Sequence, residues 1–512
     1  MKSLKKSLAF VLFIALFASL FTYNAGAENA GQVYYVDSVC GSDTNAGTSP
    51  ASAWRSLSKV NASEFAPGDS ILFKRGGVYT GFARLNGSGT LQDPITVDAY
   101  GEGDLPLLTT LDDATVLYII DESNWAIRNL EITAPSGNGI LIRFENKVSE
   151  NILIENITMH DIRNYPSNSY FSGTNAALRL MGSAYTPGAH LKDIRVNNCE
   201  IYDVGYGIFT GCNYPNTPDT PYNQNIVVEN CSLHDMFDDA FIMSDTDGII
   251  LRNSSIINTT QSDGLYATAP VWMWGVTNGL VENCEFAGSK NTRDGMTVDF
   301  DDHTDYSMYQ YVYSHDNVRF LQCCPSLADL GHNTVRYCLS VNDNVIESAG
   351  GWLNAPEIDF KFYNNTLVNS GSYQFKNYDR AVIKNNIFYM KSFKFVKYDF
   401  SRDYELSNNC YYNTFQPILD IKSLNANPMF AGKDWSNKNS FILKPGSPCY
   451  KAGTQAEPDM GAHDFYGNPL TATHSIGCFD GELTETAPPV DIQNLFGFFI
   501  RIVDFVKGIM QL

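Results

Sequence analysis

Short apolar runs closed by polar turns recur along most of this chain. Six of them share nearly the same letters, an apolar or β-branched stretch closed by Asn, and they occupy 152–157, 194–199, 226–231, 249–254, 280–284 and 360–365. A strand of this length cannot bury its own apolar face, so successive copies have to stack on one another. The first five shared Asn residues lie between 23 and 42 residues apart, which is too irregular for a propeller. The pattern predicts a solenoid of short strands with loop insertions of unequal length.

The repeat pattern weakens towards both ends of the chain. Residues 28–110 are interpreted as an N-terminal cap with the first strands, and 53–60 is a candidate helix within it. A cap is expected because an uncovered first rung exposes apolar core and unpaired strand edges. Residues 111–416 form the predicted solenoid core, 417–480 a C-terminal cap, and 481–491 have the composition of a linker.

Both termini carry a separate signal. Residues 1–27 run from lysines through an apolar stretch to small residues, the order of a secretory signal peptide, so we expect a secreted, extracellular protein. Residues 492–512 have apolar positions at helical spacing and predict an amphipathic helix. Three charged residues within it disfavour a membrane span, which leaves docking on the solenoid, on a partner or on a lipid surface.

The net charge limits the classes of binding partner, and the positions of the cysteines limit the possible disulfide bonds. The net charge of −21 argues against nucleic acid and against an anionic membrane surface as partners. Of eleven cysteines, Cys199, Cys231 and Cys284 follow the shared Asn and are predicted to stack as a buried apolar ladder. Cysteines 40, 449 and 478 lie near the ends and are candidates for stapling the caps.

The repeated letters ENC, HD and DG, the cap sequence at 67–77 and the Pro-Gly-Ser-Pro-Cys run at 445–449 together carry a family resemblance. They resemble the right-handed parallel β-helix proteins of the pectate lyase and polygalacturonase type over most of residues 33–480. The resemblance implies a right-handed parallel β-helix. It also implies a polysaccharide-active protein, because exported bacterial proteins of this fold mostly cut or remodel polysaccharides.

Four rungs carry a residue pair ending in Asp at one position, three of them His-Asp, and these pairs invite a catalytic interpretation. The pairs are 160–161, 202–203, 234–235 and 315–316. An Asp that recurs at the same turn in every rung is more simply a turn former, because its side chain bonds to nearby backbone. His234 is kept as a candidate because its rung also carries Asp238 and Asp239.

The next position along the rungs holds the candidate catalytic acids. Asp239, Asp263 and Asp294 each precede a following strand, and we predict that they occupy one register. Neighbouring carboxylates then lie about 5 Å apart and the outer pair about 10 Å apart, which brackets the separations of retaining and inverting glycosidases. Repulsion between such charges raises one pKa and yields an acid beside a carboxylate that stays ionised. Turn formation by Asp-Gly is the structural alternative.

The same region offers further polar and aromatic candidates. Asp299, Asp301 and Asp302 follow or end the next strand and are candidates for a Ca²⁺ site, for the catalytic acids themselves, or for an ordinary solvated loop. Flat or charged side chains for holding a sugar chain are Tyr266, Trp272, Trp274, Lys290 and Arg293.

The hypothesis from the sequence is a secreted glycoside hydrolase cleaving a plant or microbial polysaccharide. Asp263 and Asp294 act as acid and nucleophile or base, Asp239 tunes their pKa values, and no cofactor is required. The polygalacturonase motif is matched only at 237–240, so that activity is not assigned. The alternatives are a Ca²⁺-dependent polysaccharide lyase, disfavoured by the few Lys and Arg residues nearby, and a non-catalytic glycan-binding surface protein.

Overall fold

The computed structural model describes residues 31–162, 175–182, 186, 188–212, 223–262, 267–324, 331–347, 357–369, 371, 373–376, 378–398 and 402–483. The predicted signal peptide 1–27 and the predicted helix 492–512 lie outside these residues. Nearly all of the regular structure is β-strand, and no helix in the described ranges is long and apolar enough to cross a membrane.

The strands are short and follow one another with few interruptions. In chain order they are β1 (Val33–Val36), β2 (Ser70–Lys74), β3 (Val78–Thr80), β4 (Ala83–Arg84), β5 (Ile95–Tyr100), β6 (Leu107–Thr109), β7 (Leu117–Ile120), β8 (Trp125–Arg128), β9 (Glu131–Thr133), β10 (Ile140–Phe144), β11 (Ser149–Glu155), β12 (Thr158–Ile162), β13 (Ala176–Gly182), β14 (Leu191–Asn197), β15 (Glu200–Val204), β16 (Tyr206–Cys212), β17 (Asn223–Glu229), β18 (Ser232–His234), β19 (Phe241–Arg252), β20 (Ser255–Ile257), β21 (Val271–Thr277), β22 (Leu280–Glu282), β23 (Glu285–Ala287), β24 (Met296–Asp301), β25 (Met308–Gln310), β26 (Tyr313–His315), β27 (Arg319–Cys324), β28 (Thr334–Arg336), β29 (Leu339–Val341), β30 (Val345–Glu347), β31 (Glu357–Tyr363), β32 (Thr366–Asn369), β33 (Tyr373–Phe375), β34 (Tyr378–Lys384), β35 (Ile387–Lys394), β36 (Val396–Tyr398), β37 (Asp403–Ser407), β38 (Cys410–Thr414) and β39 (Leu424–Asn425).

These strands build three parallel sheets that run the length of a solenoid. Sheet 1 contains β4, β7, β10, β13, β16, β19, β21, β24, β27, β30, β33 and β36, and sheet 2 runs from β1 and β2 through β5 and β8 to β37. The long strand β19 belongs to both, and sheet 3 runs from β3 through β6 to β39. One coil of the chain contributes one strand to each sheet, and the apolar side chains that point inward form one continuous core. The predicted right-handed parallel β-helix is confirmed.

The shared Asn of the repeat forms the corner between sheet 2 and sheet 3. Asn156, Asn198 and Asn230 have φ values of 56°, 52° and 56°, the left-handed region that Asn tolerates better than most residues. The residue after this corner points inward. Cys199, Cys231 and Cys284 there are buried and free, so the predicted packing ladder is confirmed.

The predicted staples in the caps are not formed. Cys40 is exposed, and Cys449 and Cys478 are buried, but each is a free thiol, as are all the cysteines whose side chains the structure describes. Cys449 and Cys478 instead pack among apolar side chains of the C-terminal region, where a small apolar group is sufficient.

The N-terminal cap contains a 3-10 turn at Pro50–Ser52 and one short helix, α1 (Leu57–Asn61). The prediction of a helix over 53–60 was wrong at its start, because Trp54 is extended and forms a bridge with Val36. The side chain of Ser56 caps α1 by accepting from the N–H of Lys59.

The C-terminal region does more than cover the last rung. Its irregular chain, with a 3-10 turn at Lys438–Phe441, folds back along the outer face of sheet 3. Phe441 and Cys478 share an apolar cluster with Leu339, Val341 and Val368 of that sheet. Sheet 1, on another side of the solenoid, carries the candidate site.

Candidate active site

The candidate site lies on the outer face of sheet 1, where β21 and β24 run side by side. Met273 of β21 pairs with Phe300 of β24, and both are core residues. Because side chains alternate along a strand, Trp272 and Trp274 project outward, as do Asp299 and Asp301 on the neighbouring strand. Two indoles therefore stand beside two carboxyl groups.

The turn that precedes β24 brings a third carboxyl group, that of Asp294, to this face. The Asn291 side-chain oxygen accepts from the backbone N–H groups of Arg293 and Asp294, at 3.0 and 3.1 Å. Gly295 follows at φ 64°, and its N–H donates to the carbonyl of Thr268. A side chain at Gly295 would approach the Asn291 carbonyl to 2.3 Å, so the tight turn requires glycine.

Burial dominates the electrostatics of these acids. Burial, opposed by the N–H of Asp302 and assisted by the charges of Asp302 and Asp294, raises the pKa of Asp301 to about 7. Asp299 is only 6% exposed, and burial together with Asp301, Asp294 and Asp239 raises its pKa well above the usual range. The carboxyls of this cluster therefore do not all ionise at neutral pH.

Two guanidinium groups oppose the rise in the pKa of the third carboxyl group, that of Asp294. Burial raises the pKa of Asp294, whereas the positive charges of Arg319 and Arg293 lower it. The Arg319 side chain is fixed by donating to the carbonyls of Arg293, at 2.7 Å, and Thr292, at 3.1 Å. The charged form of Asp294 is thus supported by two adjacent cations.

Asp239 lies at the inner edge of the same face. It is 4% exposed, and its Oδ1 accepts from the N–H of Ala269 at 2.8 Å and from the indole N–H of Trp272 at 3.0 Å. Burial and the charge of Asp238 raise its pKa well above the usual range. Burial also raises the pKa of Asp238 to about 6, although the nearby Ser262 and Tyr206 lower it.

The predicted common register of Asp239, Asp263 and Asp294 stays a prediction, because Asp263 lies outside the described residues. Ala269 donates to Asp239, and Thr268 accepts from Gly295, so Thr268 and Ala269 occupy the rung between the two acids. The segment from Asn258 to β21 is longer than the corresponding segments of the neighbouring rungs. Counting residues from the shared Asn therefore does not identify the residue that lies just before β21. Asp263 and Tyr266 fall in 263–266, outside the described residues.

The predicted substrate-binding residues are only partly brought together. Trp272 and Trp274 are half-buried on the face with the acids, and Arg293 is exposed at the turn beside Asp294. Lys290 is exposed at the start of that turn, where its N–H donates to Thr260.

The suggested Ca²⁺ ligands Asp299, Asp301 and Asp302 do not converge. Across the described ranges, no three His, Cys, Asp or Glu side chains are grouped closely enough to hold a metal ion. Asp299 is 6% exposed, and its Oδ1 has no hydrogen-bond partner among the described atoms.

The sequence pointed to Arg319 only as one of the few basic residues near the acids, and its effect on Asp294 was not predicted. Sequence reasoning missed an apolar patch on the outer face, formed by Ala176, Met181, Phe209 and Ile242, against which Tyr206 and Trp272 pack. A signal for the patch exists, because 241–243 of β19 is continuously apolar where an outward position was expected to be polar.

The Asp residues of the four pairs are turn formers, as predicted, and they lie near the C-terminal ends of strands in sheet 3. Asp161, Asp203, Asp235 and Asp316 have φ values of 51–56°. The rings of His160, Tyr202 and His234 stack at 4.9 and 5.2 Å, and each of these His side chains bonds to the following Asp and to a Glu of another rung. His234 is therefore part of a surface ladder on another sheet.

Comparisons with known proteins agree with the fold. No family model matches the chain. A lacto-N-biosidase from Bifidobacterium longum subsp. longum is 25% identical over 428 residues, covering 62% of this chain and 26% of the relative. The chain thus spans about a quarter of the length of the curated relative that it matches.

Solved structures extend the similarity. A GH136 lacto-N-biosidase from Eubacterium ramulus has a TM-score of 0.59 and 20% identity, covering 77% of this chain and 68% of that one. XylC in complex with xylose has a TM-score of 0.55 and 10% identity, covering 88% and 99%. At these identities the likeness establishes the β-helix architecture.

Proposed function

We propose that this protein is a secreted glycoside hydrolase acting on a glycan, with Asp294 and Asp301 as its reacting carboxyl groups. The observation that carries the proposal is the set of three coupled acids on the outer face of sheet 1, beside two indoles. The similarity of the chain to lacto-N-biosidases of two bacteria also supports glycoside hydrolysis.

Asp301 has the properties of the general acid. Its pKa of about 7 keeps a substantial fraction protonated near neutral pH, and its side chain is half-buried, so a substrate oxygen can reach it. A glycosidase acid must donate its proton to the leaving oxygen as the glycosidic bond breaks. Asp299 is nearly sealed from solvent and serves as a neutral neighbour.

Asp294 is assigned the role of nucleophile or base. The Arg319 and Arg293 charges favour its ionised form, which either role requires. This proposal pairs Asp294 with Asp301 in place of Asp263, because Asp301 is the half-buried acid whose pKa the charge of Asp294 helps to raise.

Trp272 and Trp274 offer flat apolar surfaces for sugar rings. Aromatic faces bind the apolar side of a pyranose, and the neighbouring apolar patch of Ala176, Met181, Phe209 and Ile242 extends this surface over the preceding rungs. The arrangement supports binding of a chain of several sugars along sheet 1.

The experiment is a glycan panel that includes lacto-N-biose-containing oligosaccharides, with reducing ends and ultraviolet-absorbing unsaturated ends measured in parallel. New reducing ends without unsaturation are expected. Unsaturated product that disappears with a calcium chelator would favour the lyase instead.

Variants link the activity to the site. Asp294→Asn and Asp301→Asn should each lower kcat at least about 10³-fold with an unchanged circular dichroism spectrum, because each removes one half of the acid and nucleophile pair. Activity retained in both variants would refute the assignment. Binding without product would favour the glycan-binding alternative.

A further inference from the structure

We propose that Asp239 is a positioning residue, whose carboxyl group fixes the orientation of the Trp272 indole as a sugar-binding surface. The inference rests on the proposed function, and it gives Asp239 a role other than acid, nucleophile or pKa tuner.

The contacts of Asp239 point to this role. One oxygen, Oδ1, accepts from both the N–H of Ala269 and the indole N–H of Trp272. Ala269 and Trp272 lie on the same rung, three residues apart, so the carboxyl group ties the ring to the backbone that precedes its own strand. An indole has two soft torsions, and a hydrogen bond at its N–H selects one of the available ring positions.

The location of Trp272 makes its orientation important. On one side, Ile242 is its ladder partner and the apolar patch packs against it. On the other side, β24 presents Asp299 and Asp301. The ring therefore bridges the apolar surface and the reacting acids, and a small rotation changes where a stacked sugar meets Asp301. Displacements of about 1 Å at such positions cost up to 10²-fold in rate.

Burial argues against a direct chemical role for Asp239. At 4% exposure its carboxyl group is covered, and two donors converge on Oδ1. A group that contacts the reacting bond must be reached by substrate. An amide oxygen can accept the same two hydrogen bonds as the carboxyl oxygen, so the role needs the shape of the side chain and not its charge.

The test compares Asp239→Asn with Asp239→Ala. Asp239→Asn keeps an oxygen acceptor at the same place and should stay within about threefold of the wild-type kcat/KM. Asp239→Ala removes the acceptor and should lower kcat/KM by about 10- to 100-fold, with a loss in kcat as well as in KM, because the sugar is both bound less well and displaced from Asp301. A loss in Asp239→Asn as large as in Asp294→Asn would show a chemical role and overturn the proposal.

Tryptophan fluorescence provides a readout that does not depend on turnover. Asp239→Ala should change the emission of the wild-type protein, and the same change should be absent when Trp272→Phe is already present. Asp239→Asn should leave the emission near that of the wild type. An equal spectral change in both backgrounds would mean that Asp239 does not act on Trp272.

The two readouts separate this proposal from the proposed function. If the wild-type protein cleaves no glycan but the fluorescence effect of Asp239→Ala depends on Trp272, the hydrolase assignment fails and the positioning contact stands. If the protein cleaves glycan but the fluorescence effect is independent of Trp272, the positioning role fails alone. Thermal melting of each variant shows whether the fold is intact.

Discussion

Individual carboxyl groups on the outer face of sheet 1 are kept from full ionisation by burial and by one another. Asp301, Asp299, Asp239 and Asp294 all have raised pKa values, but for Asp294 the charges of Arg319 and Arg293 oppose the rise that burial causes. When the surroundings of two similar side chains make their pKa values differ, one can act as the acid and the other as the nucleophile or base.

The pH dependence of activity should report this division. Since Asp301 must be protonated, kcat/KM is expected to fall as pH rises above about 7. Arg319→Met removes a cation that lowers the pKa of Asp294, so the acidic limb should move upward by about one pH unit. Arg319→Lys keeps the charge and should shift the limb less. An acidic limb that does not move in Arg319→Met would contradict the role of Asp294.

The same shifts predict how stability depends on pH. A carboxyl group with a raised folded-state pKa contributes stability that is complete below its unfolded value and is lost as pH rises through the folded value. For Asp301 this window extends from about 4 to about 7. Asp301→Asn should therefore reduce the fall in unfolding free energy between pH 5 and pH 8 by roughly 2 kcal/mol, measured by urea titration. Asp403→Asn, at an exposed site, is the control, and equal slopes in the two variants would refute the prediction.

At the scale of the element, the corners between sheets make the solenoid repeat. In most coils an Asn adopts positive φ and redirects the chain, in two coils Tyr311 and Tyr337 do so, and the next residue inserts into the core. Over the first coils that inserted residue is apolar, whereas near the C-terminal end it is Asn365, Asn386 and Asn409, which form a buried ladder of amides. Asn386 Oδ1 accepts from the backbone N–H and side chain of Asn365, and its Nδ2 donates to Phe362 and Asn409.

Removing one amide from this ladder should destabilise the protein strongly. Asn386→Ala leaves the buried N–H of Asn365 without its side-chain acceptor and removes the amide bonds to Phe362 and Asn409, which costs about 2–4 kcal/mol. Asn425→Ala, at an exposed position of β39, is the matched control and should change stability by less than about 0.5 kcal/mol. Chemical denaturation of both variants tests this, and similar midpoints would show that the ladder contributes little.

At the scale of the whole molecule, one side of the solenoid carries the candidate site and another side is covered by the C-terminal region. Sheet 1 carries the candidate site, whereas the outer face of sheet 3 is covered by the C-terminal region. Arg336 of β28, in sheet 2, links the solenoid to the C-terminal region by donating to Gln310, to the Tyr363 hydroxyl and to the carbonyl of Asp459. The C-terminal region thus braces the coils of the central and late solenoid from the side.

Breaking that link should affect stability without affecting chemistry. Arg336→Met removes a buried cation from its hydrogen-bond partners and should cost about 2–4 kcal/mol, with kcat unchanged at a temperature where the variant is folded. Arg402→Met, at an exposed ion pair with Asp379, should cost less than about 1 kcal/mol. Thermal melting and activity together test this, and a large loss of kcat in the folded Arg336→Met variant would contradict the separation of tasks.

The sequence by itself determined the solenoid, its corners and its cysteine ladder, because each depends on a pattern repeated within a few residues. The shared Asn predicted the corner, and the Asp of each His-Asp pair predicted a second one. Such local rules need no knowledge of distant chain segments.

Only the tertiary structure decided the composition of the site. Coil lengths differ, and counting from the shared Asn did not predict that Thr268 and Ala269 lie on the rung between Asp239 and Asp294. The proximity of Arg319 to Asp294, the depth of Asp299 and the bond from Trp272 to Asp239 arise between coils. The stacking register and the burial of a side chain depend on the lengths and side chains of several coils together. A short stretch of sequence therefore cannot predict them.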